Sequence, residues 1–188
     1  SNHRSKMSLE EFLVEQKTIC ISDIDTRHLT KILRDEGCKI GAIYPTQLFT
    51  DEEAVSEIKK FGSMDGKNFT ENVAVSAPYN FGDPGTAKKY KIVAVDFGIK
   101  ENILRIMKSL GGDIEVVPPN TSAEAIKALN PDGIFLSNGP GDPCVLQGAV
   151  DEVKKMMGLG LPIFGICLGH QIMSLAYGLD IEKMPFGH

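Results

Sequence analysis

The chain has 188 residues, of which 42% are hydrophobic, and it carries a formal net charge of −5 with a pI near 5.4. This length allows a substantial core in one or two domains. The 20 basic residues are interleaved with 25 acidic ones, which argues against a nucleic-acid partner because phosphate binding needs clustered Lys and Arg. No run of about 18 apolar residues could span a bilayer, and residues 1–6 lack the apolar core of a secretory signal. We therefore expect a cytoplasmic protein with no nucleic-acid partner and no membrane partner.

Residues 1–75 are predicted to form a small α+β block. At three places a residue that can cap a helix precedes apolar residues at helical spacing, and short apolar runs separate these stretches. At the first place Glu11 follows Ser8 by three positions, which is the spacing of a capping box. The predicted elements are a helix over about 8–17, a strand over 19–21, a helix from Asp25 to Gly37, a strand over 38–44 and a helix from Thr50 to Gly62.

Residues 76–90 are predicted to be an inter-domain linker. Pro78, Gly82, Pro84 and Gly85 interrupt this stretch, and it shows no apolar periodicity. We therefore predict a first domain over 1–75 and a second domain over 91–188.

From residue 91 onward, continuous apolar runs alternate with amphipathic stretches. Such runs are typical of strands buried on both faces, and their alternation with helices predicts a doubly wound, mostly parallel α/β sheet. Ligands bind such sheets at the carboxyl ends of the strands, so we expect the site at the turns after Phe97, Ser137 and Ile166. The predicted strands cover 92–97, 114–117, 133–136, 163–166 and 181–184, and the predicted helices cover about 99–110, 122–129 behind a Thr121/Glu124 capping box, 147–158 and 168–177.

Cys167 lies where the strand over 163–166 runs into a helix, with Gly165 and Gly169 on either side. The same spacing forms nucleophile elbows, in which glycines let the strand and the helix approach across a sharp turn. A helix N-terminus favours the reactive thiolate, and the N–H of Leu168 is placed to bind the oxyanion formed by attack on an amide. The alternative is that Cys167 is a small buried apolar residue, as most free cysteines are. The other cysteines, Cys20, Cys38 and Cys144, lack this setting and are assigned no role.

The loop Asn138–Pro143 is a second candidate for the site. Its Gly- and Pro-rich composition usually means a plain turn. It nevertheless follows a buried strand and precedes Cys167 in a doubly wound sheet, which is where a second oxyanion donor is needed. The composition alone leaves both interpretations open.

Two motifs resemble those of class I, triad-type glutamine amidotransferases. The string Gly165-x-Cys167-x-Gly169-His170-Gln171 is similar to their nucleophile motif, and Leu136–Pro143 looks like their oxyanion loop. The resemblance implies their flavodoxin-like α/β fold and no cofactor or metal in this chain. The roles that it implies are Cys167 as nucleophile, the N–H groups of Gly139 and Leu168 as oxyanion hole, and Gly139, Gly141, Leu168 and Gln171 as contacts to glutamine.

Two further stretches, Val95–Ile103 and Ile21–Thr30, look like carbamoyl-phosphate synthetase small subunits, whereas other amidotransferases lack such an N-terminal domain. The resemblance implies hydrolysis of L-glutamine through a cysteine thioester. Ammonia would pass to a large subunit that makes carbamoyl phosphate from bicarbonate and ATP, for arginine and pyrimidine synthesis. ATP and Mg are expected on that large subunit, and this chain contains no G-x-x-x-x-G-K-[ST] loop. By itself, the stretch around Arg27 predicts only a capped helix with a solvated face.

The resemblance covers essentially the whole chain and also implies missing parts. The family's N-terminal domain normally begins well before Ser1, and its triad histidine and glutamate lie in a later segment beyond His188. We therefore expect the 188-residue piece to show little or no glutaminase turnover. His170 follows Cys167 on the same predicted helix and is expected to pack or cap rather than to act as the base.

Two other functions stay open. One is another cysteine hydrolase of similar fold, such as a peptidase or a glyoxalase-like protein, although the Asn138–Gly141 loop and the N-terminal block argue against it. The other is a non-catalytic scaffold subunit in which Cys167 is structural. A substrate panel without glutamine tests the first, and the effect of Cys167→Ser on glutamine-dependent synthesis tests the second.

Overall fold

The computed structural model describes residues 5–82 and 89–184, which form two compact units. Residues 5–63 with 183–184 make up the first unit, and 64–182 make up the second. Pro84 and Gly85 of the predicted linker, together with both chain ends, lie outside the described residues. No helix in the described part of the chain is long and apolar enough to cross a membrane.

The first unit contains the three predicted helices, α1 (Leu9–Glu15), α2 (Thr26–Glu36) and α3 (Asp51–Phe61). The capping boxes form as predicted, since Ser8 Oγ accepts from the N–H of Glu11 at 3.1 Å and the Glu11 carboxylate accepts from the N–H of Ser8 at 2.7 Å. The helix boundaries are therefore set by local chemistry.

The two strands predicted in this block, over 19–21 and 38–44, are not formed. The described residues of the first unit contain no strand that could pair with them, and an apolar run without a neighbouring strand has no partner for its backbone hydrogen bonds. Ile19 and Ile43 are accordingly exposed. Ala54 is the one buried residue among the described residues of this unit.

The second unit is built on a five-stranded sheet, which confirms the predicted doubly wound α/β class. Its four parallel strands pair in the order β3-β2-β4-β5, and β1 pairs antiparallel with β3 at the edge. The strands are β1 (Tyr79–Phe81), β2 (Tyr90–Val95), β3 (Gly112–Val117), β4 (Gly133–Leu136) and β5 (Ile163–Gly165).

The sheet differs from the prediction at two places. Residues 79–81, inside the predicted linker, form β1. A three-residue edge strand between Pro and Gly carries too short an apolar pattern to be recognised. Residues 181–184, predicted to be a fifth parallel strand, have no regular structure.

Helices cover both faces of the sheet. Val95 and Leu136 pack with α6, α7 and α8 in one core, while Ala94 and Phe135, from the same two strands, pack on the other face with Leu104 of α5. The helices are α4 (Thr70–Val73), α5 (Glu101–Ser109), α6 (Ala123–Ala128), α7 (Gln147–Met157) and α8 (Leu168–Ala176), with a 3-10 turn over Pro143–Val145.

The helices α5 to α8 confirm the predicted alternation, but the cap of α6 was assigned to the wrong residue. Ser122 Oγ accepts from the N–H of Ala125 at 3.2 Å, whereas the Thr121 hydroxyl donates to the carbonyl of Pro118 at 2.8 Å. Thr121 instead closes the turn that precedes the helix.

The strand order reverses between β2 and β4, since β2 is followed in the chain by β3 on one side and β4 lies on the other. Ligands of doubly wound sheets bind at such a reversal, beyond the carboxyl ends of the strands. The loops that begin at Asp96, Ser137 and Ile166 therefore share one edge of the sheet.

Candidate active site

Cys167 connects β5 to α8 in a sharp turn. It occupies the N-cap position of α8 with φ 51° and ψ −113°, a left-handed conformation that is costly for a residue with a side chain. Its side chain is exposed. The turn therefore presents the sulfur to solvent at the carboxyl edge of the sheet, as a nucleophile elbow does.

Gly169 lets the first turn of α8 rest directly on β4. A Cβ at this position would overlap the carbonyl oxygen of Leu136 and would lie 2.6 Å from its carbonyl carbon. The N–H of Gly169 also donates to the carbonyl of Ser137 at 3.0 Å. A Cβ at Gly165 would in turn lie 2.7 Å from the carbonyl carbon of Gly169, so both predicted glycines are needed for close approach.

Gly139 lies between the end of β2 and the residue that follows the cysteine. A Cβ here would overlap the carbonyl oxygen of Phe97 and would lie 2.9 Å from Cδ2 of Leu168. The structure thus brings together Gly139 and Leu168, the two residues predicted as oxyanion donors. Because Leu168 is the first residue of α8, its N–H has no acceptor within that helix.

A hydrogen-bond network centred on the buried Ser137 holds the start of the Gly139 loop. Ser137, which is fully buried, accepts from the N–H of Phe97 at 2.8 Å and donates to the carbonyl of Asn138 at 2.7 Å. The Asn138 amide donates to the carbonyl of Gly98 at 2.9 Å and accepts from the N–H of Lys100 at 3.1 Å. These bonds fasten the loop after β4 to the loop after β2.

The other predicted contacts lie close by in the chain. Gln171 is half-buried in the first turn of α8, and its N–H donates to the carbonyl of Cys167 at 2.9 Å. Gly141 forms a backbone bridge with Asn68, a contact that the sequence did not predict. His170, which was expected to pack or cap, is exposed on α8, and the N-cap position of that helix is occupied by Cys167.

Asp142 has a structural role that the sequence did not predict. Its carboxylate accepts from the N–H of Gly66 and from the N–H of Cys144, both at 2.9 Å. These two backbone bonds, with that from Gly66 first, hold the pKa of Asp142 below its ordinary value. The sequence signal that could have predicted this role is an Asp directly before a turn that begins with Pro, which is a common capping pattern.

Metal-ligand side chains and the other three cysteines are the remaining candidate groups. Among the described residues, no three His, Cys, Asp or Glu side chains are grouped so as to hold a metal ion. All four cysteines are exposed and free, and Cys167 alone among them has the left-handed backbone at a strand-to-helix turn.

The comparisons with known proteins agree with this geometry. The protein-family model "Glutamine amidotransferase class-I" matches residues 93–188. A second family model, "Carbamoyl-phosphate synthase small chain, CPSase domain", matches residues 1–43. Carbamoyl phosphate synthase small chains match over 100% of this chain at 47% identity in Neisseria meningitidis serogroup A, 45% in Pasteurella multocida and 43% in Acinetobacter baylyi. The chain covers 52%, 51% and 52% of these proteins, so it spans about half the length of the curated relatives. With an elbow cysteine, a facing glycine loop and a match over half of its residues, the chain belongs to the class-I glutamine amidotransferase family.

Proposed function

We propose that this chain carries the glutamine-hydrolysing site of a carbamoyl-phosphate synthase small subunit. The observation that carries the proposal is the strained turn at Cys167, with Gly139 packed against Leu168. The relatives named as small chains, and the CPSase-domain match over 1–43, favour this enzyme over other amidotransferases.

Hydrolysis would begin with attack of the Cys167 thiolate on the side-chain carboxamide carbon of glutamine. The carbonyl oxygen takes up the electron pair and becomes an oxyanion, which the N–H groups of Gly139 and Leu168 stabilise. Collapse breaks the C–N bond, and a protonated base supplies the proton with which ammonia leaves. Water then hydrolyses the γ-glutamyl thioester and releases glutamate and the thiol.

Gly141 and Gln171 are proposed as the other contacts to glutamine. Gly141 belongs to the loop that carries Gly139, and Gln171 belongs to the helical turn that follows Cys167. Substrate would therefore lie between the loop after β4 and the first turn of α8.

The ammonia would be used by a large synthetase subunit in the cytoplasm. That subunit would hold ATP and Mg and would make carbamoyl phosphate from bicarbonate, and this chain would need no cofactor. No cofactor is needed in this chain because amide hydrolysis through a thioester requires only a nucleophile, oxyanion donors and a proton donor.

The proton donor is proposed to be a residue other than His170. His170 is exposed and lies on the same helix as the nucleophile, three residues after it. We further propose that the 188-residue chain by itself labels at Cys167 but turns over little glutamine. Labelling needs only the thiolate, whereas turnover also needs a proton donor. Multiple-turnover release of ammonia by the purified chain would refute this part of the proposal.

The test is covalent labelling with a glutamine-like chloroketone, located by mass spectrometry. All four cysteines are exposed, so exposure alone cannot make the reagent selective and the other three serve as internal controls. We expect stoichiometric labelling of Cys167 that glutamine prevents and that Cys167→Ser abolishes.

Two variants sharpen this experiment. Gly139→Ala, whose new methyl would overlap the carbonyl oxygen of Phe97, is expected to slow labelling of Cys167. Gly148→Ala, on an exposed helix position with nothing within 4 Å of the new methyl, is the matched control and is expected to label normally. Equal labelling of all four cysteines, or of none, would contradict the proposed glutamine site.

A further inference from the structure

The segment 66–75 contacts the candidate site although it lies between the two ranges that the family models match, 1–43 and 93–188. The Asp142 carboxylate bridges this segment and the 3-10 turn, since one oxygen accepts from the N–H of Gly66 and the other accepts from the N–H of Cys144. A carboxylate that accepts from backbone N–H groups forms charge-assisted bonds, which are stronger than neutral ones.

Backbone contacts reinforce the same connection. The N–H of Asp142 donates to the carbonyl of Lys67 at 3.1 Å, and Gly141 pairs with Asn68. A Cβ on Gly141 would lie 3.0 Å from the carbonyl oxygen of Lys67, so the two chain segments run in close contact. The loop that carries Gly139 is therefore fastened at its far end by residues 66–68.

The end of the segment is tied to the neighbouring loop in a similar way. Asp96, which is 2% exposed, accepts from the N–H of Val75 at 2.9 Å through one oxygen. Its other oxygen accepts from the N–H groups of Gly98 and Ile99, both at 2.8 Å. Thus one aspartate at each end joins the segment to a loop at the carboxyl edge of the sheet.

We propose that Asp142 is a positioning residue that, by fastening the loop of Gly139 to the segment 66–68, sets the place of the Gly139 N–H for reaction at Cys167. This inference rests on the proposed function and adds to it a residue and a chain segment. Oxyanion donors act only when they are held within about 0.5 Å of the productive position. Asn138 and Ser137 hold the loop before Gly139, and Asp142 supplies the anchor after it.

The test separates reaction from binding. The chloroketone reaction of Cys167 is measured in the full chain as a maximal rate constant, kinact, and a half-saturation concentration, KI, for wild type, Asp142→Asn and Asp142→Ala. The Asn variant keeps one acceptor but turns its NH₂ group towards the other N–H, whereas Ala keeps neither. We expect kinact to fall about ten- to hundredfold in the order wild type, Asn, Ala, with KI changed less than about threefold.

Asp132→Asn is the matched control. Its carboxylate also accepts from a backbone N–H, that of Lys91 at 2.7 Å, but this pair lies at the amino end of β2, away from Cys167. The control is expected to leave kinact and KI at their wild-type values. A general effect of removing a carboxylate would lower kinact in the control as well and would overturn the positioning role.

A second measurement uses only the wild-type chain, in case the variants fold poorly. If the anchor and the oxyanion site are coupled, an adduct on Cys167 must slow hydrogen exchange at the amides of Gly66 and Cys144. Unchanged exchange at both amides would overturn the inference.

The two proposals fail in different ways. Wild-type labelling without glutamine protection would refute the proposed glutamine site and the positioning role together. Glutamine-protected labelling of wild type, with kinact unchanged in Asp142→Asn and Asp142→Ala, would refute the positioning role alone.

Discussion

The substitution Gly169→Ala tests the close packing on which the whole site depends. A methyl group at this position would overlap the carbonyl oxygen of Leu136 and would lie 2.6 Å from its carbonyl carbon and 2.8 Å from its Cβ. Those atoms belong to the end of β4, which is paired between β2 and β5, and cannot rotate away. The first turn of α8 must therefore move instead.

The magnitude follows from competing terms. Bringing the contact to an ordinary separation of about 3.5 Å requires α8 to move by roughly 1 Å. Overpacking of this kind costs about 1–3 kcal/mol, and weakening the bond from Gly169 to Ser137 costs about 1 kcal/mol more. The better helix propensity of Ala returns about 1 kcal/mol. We expect a net loss of about 1–3 kcal/mol in the free energy of unfolding.

Urea unfolding followed by circular dichroism measures this loss. Gly148→Ala is the control, because its methyl meets nothing within 4 Å and should stabilise α7 by up to about 1 kcal/mol. The two substitutions are identical in chemistry, so a difference in sign between them reports the contact with Leu136. If Gly169→Ala were as stable as wild type, the close approach of α8 to β4 would be refuted.

Three further measurements examine the site. Cys167→Gly is expected to be more stable than Cys167→Ala by up to about 1 kcal/mol, because glycine relieves the left-handed backbone. At Cys144, whose φ is negative, the Ala variant should instead be more stable than the Gly variant. If the same variant were the more stable at both positions, the backbone strain at Cys167 would be contradicted. Ser137→Ala leaves the buried backbone N–H of Phe97 without its acceptor and is expected to lower the free energy of unfolding by about 1–3 kcal/mol. The exposed Ser109→Ala is the control and is expected to lower it by less than about 0.5 kcal/mol. Urea unfolding measures both. Because backbone bonds lower the pKa of Asp142, its contribution to stability is present above its unfolded-state pKa of about 3.9 and is lost as pH falls through the lower folded-state value. The difference in unfolding free energy between wild type and Asp142→Asn should therefore persist from pH 7 to about 5 and narrow below about pH 4, and a pH-independent difference would contradict this.

The parts of the fold that the sequence predicted correctly are those set by local chemistry. Ser8, Asp25 and Thr50 cap helices in the structure as their spacing indicates, because each side chain bonds a backbone N–H three residues away. Strands β2 and β4 were recognisable because residues buried on both faces form continuous apolar runs, and β3 and β5 were recognisable as short apolar runs between helical stretches. The runs over 19–21 and 38–44 carry a similar local signal but have no partner strand in the described part of their unit.

The candidate site divides in the same way. The elbow at Cys167 could be predicted because its glycines, its strand and its helix are neighbours in the chain. The contact of Asp142 with Gly66 could not, because 76 positions separate the two residues and no pattern in either stretch refers to the other.

The sequence by itself determined the caps of α1 to α3, the alternation of strands and helices, and the nucleophile turn, since each depends on interactions within a few residues. Only the tertiary structure decided which loops meet at the reversal of strand order, that Gly139 packs against Leu168, and that the segment 66–75 anchors the loops beside them. The physical reason is that strand order and backbone contact across the sheet are set by packing of distant segments, which local patterns do not encode.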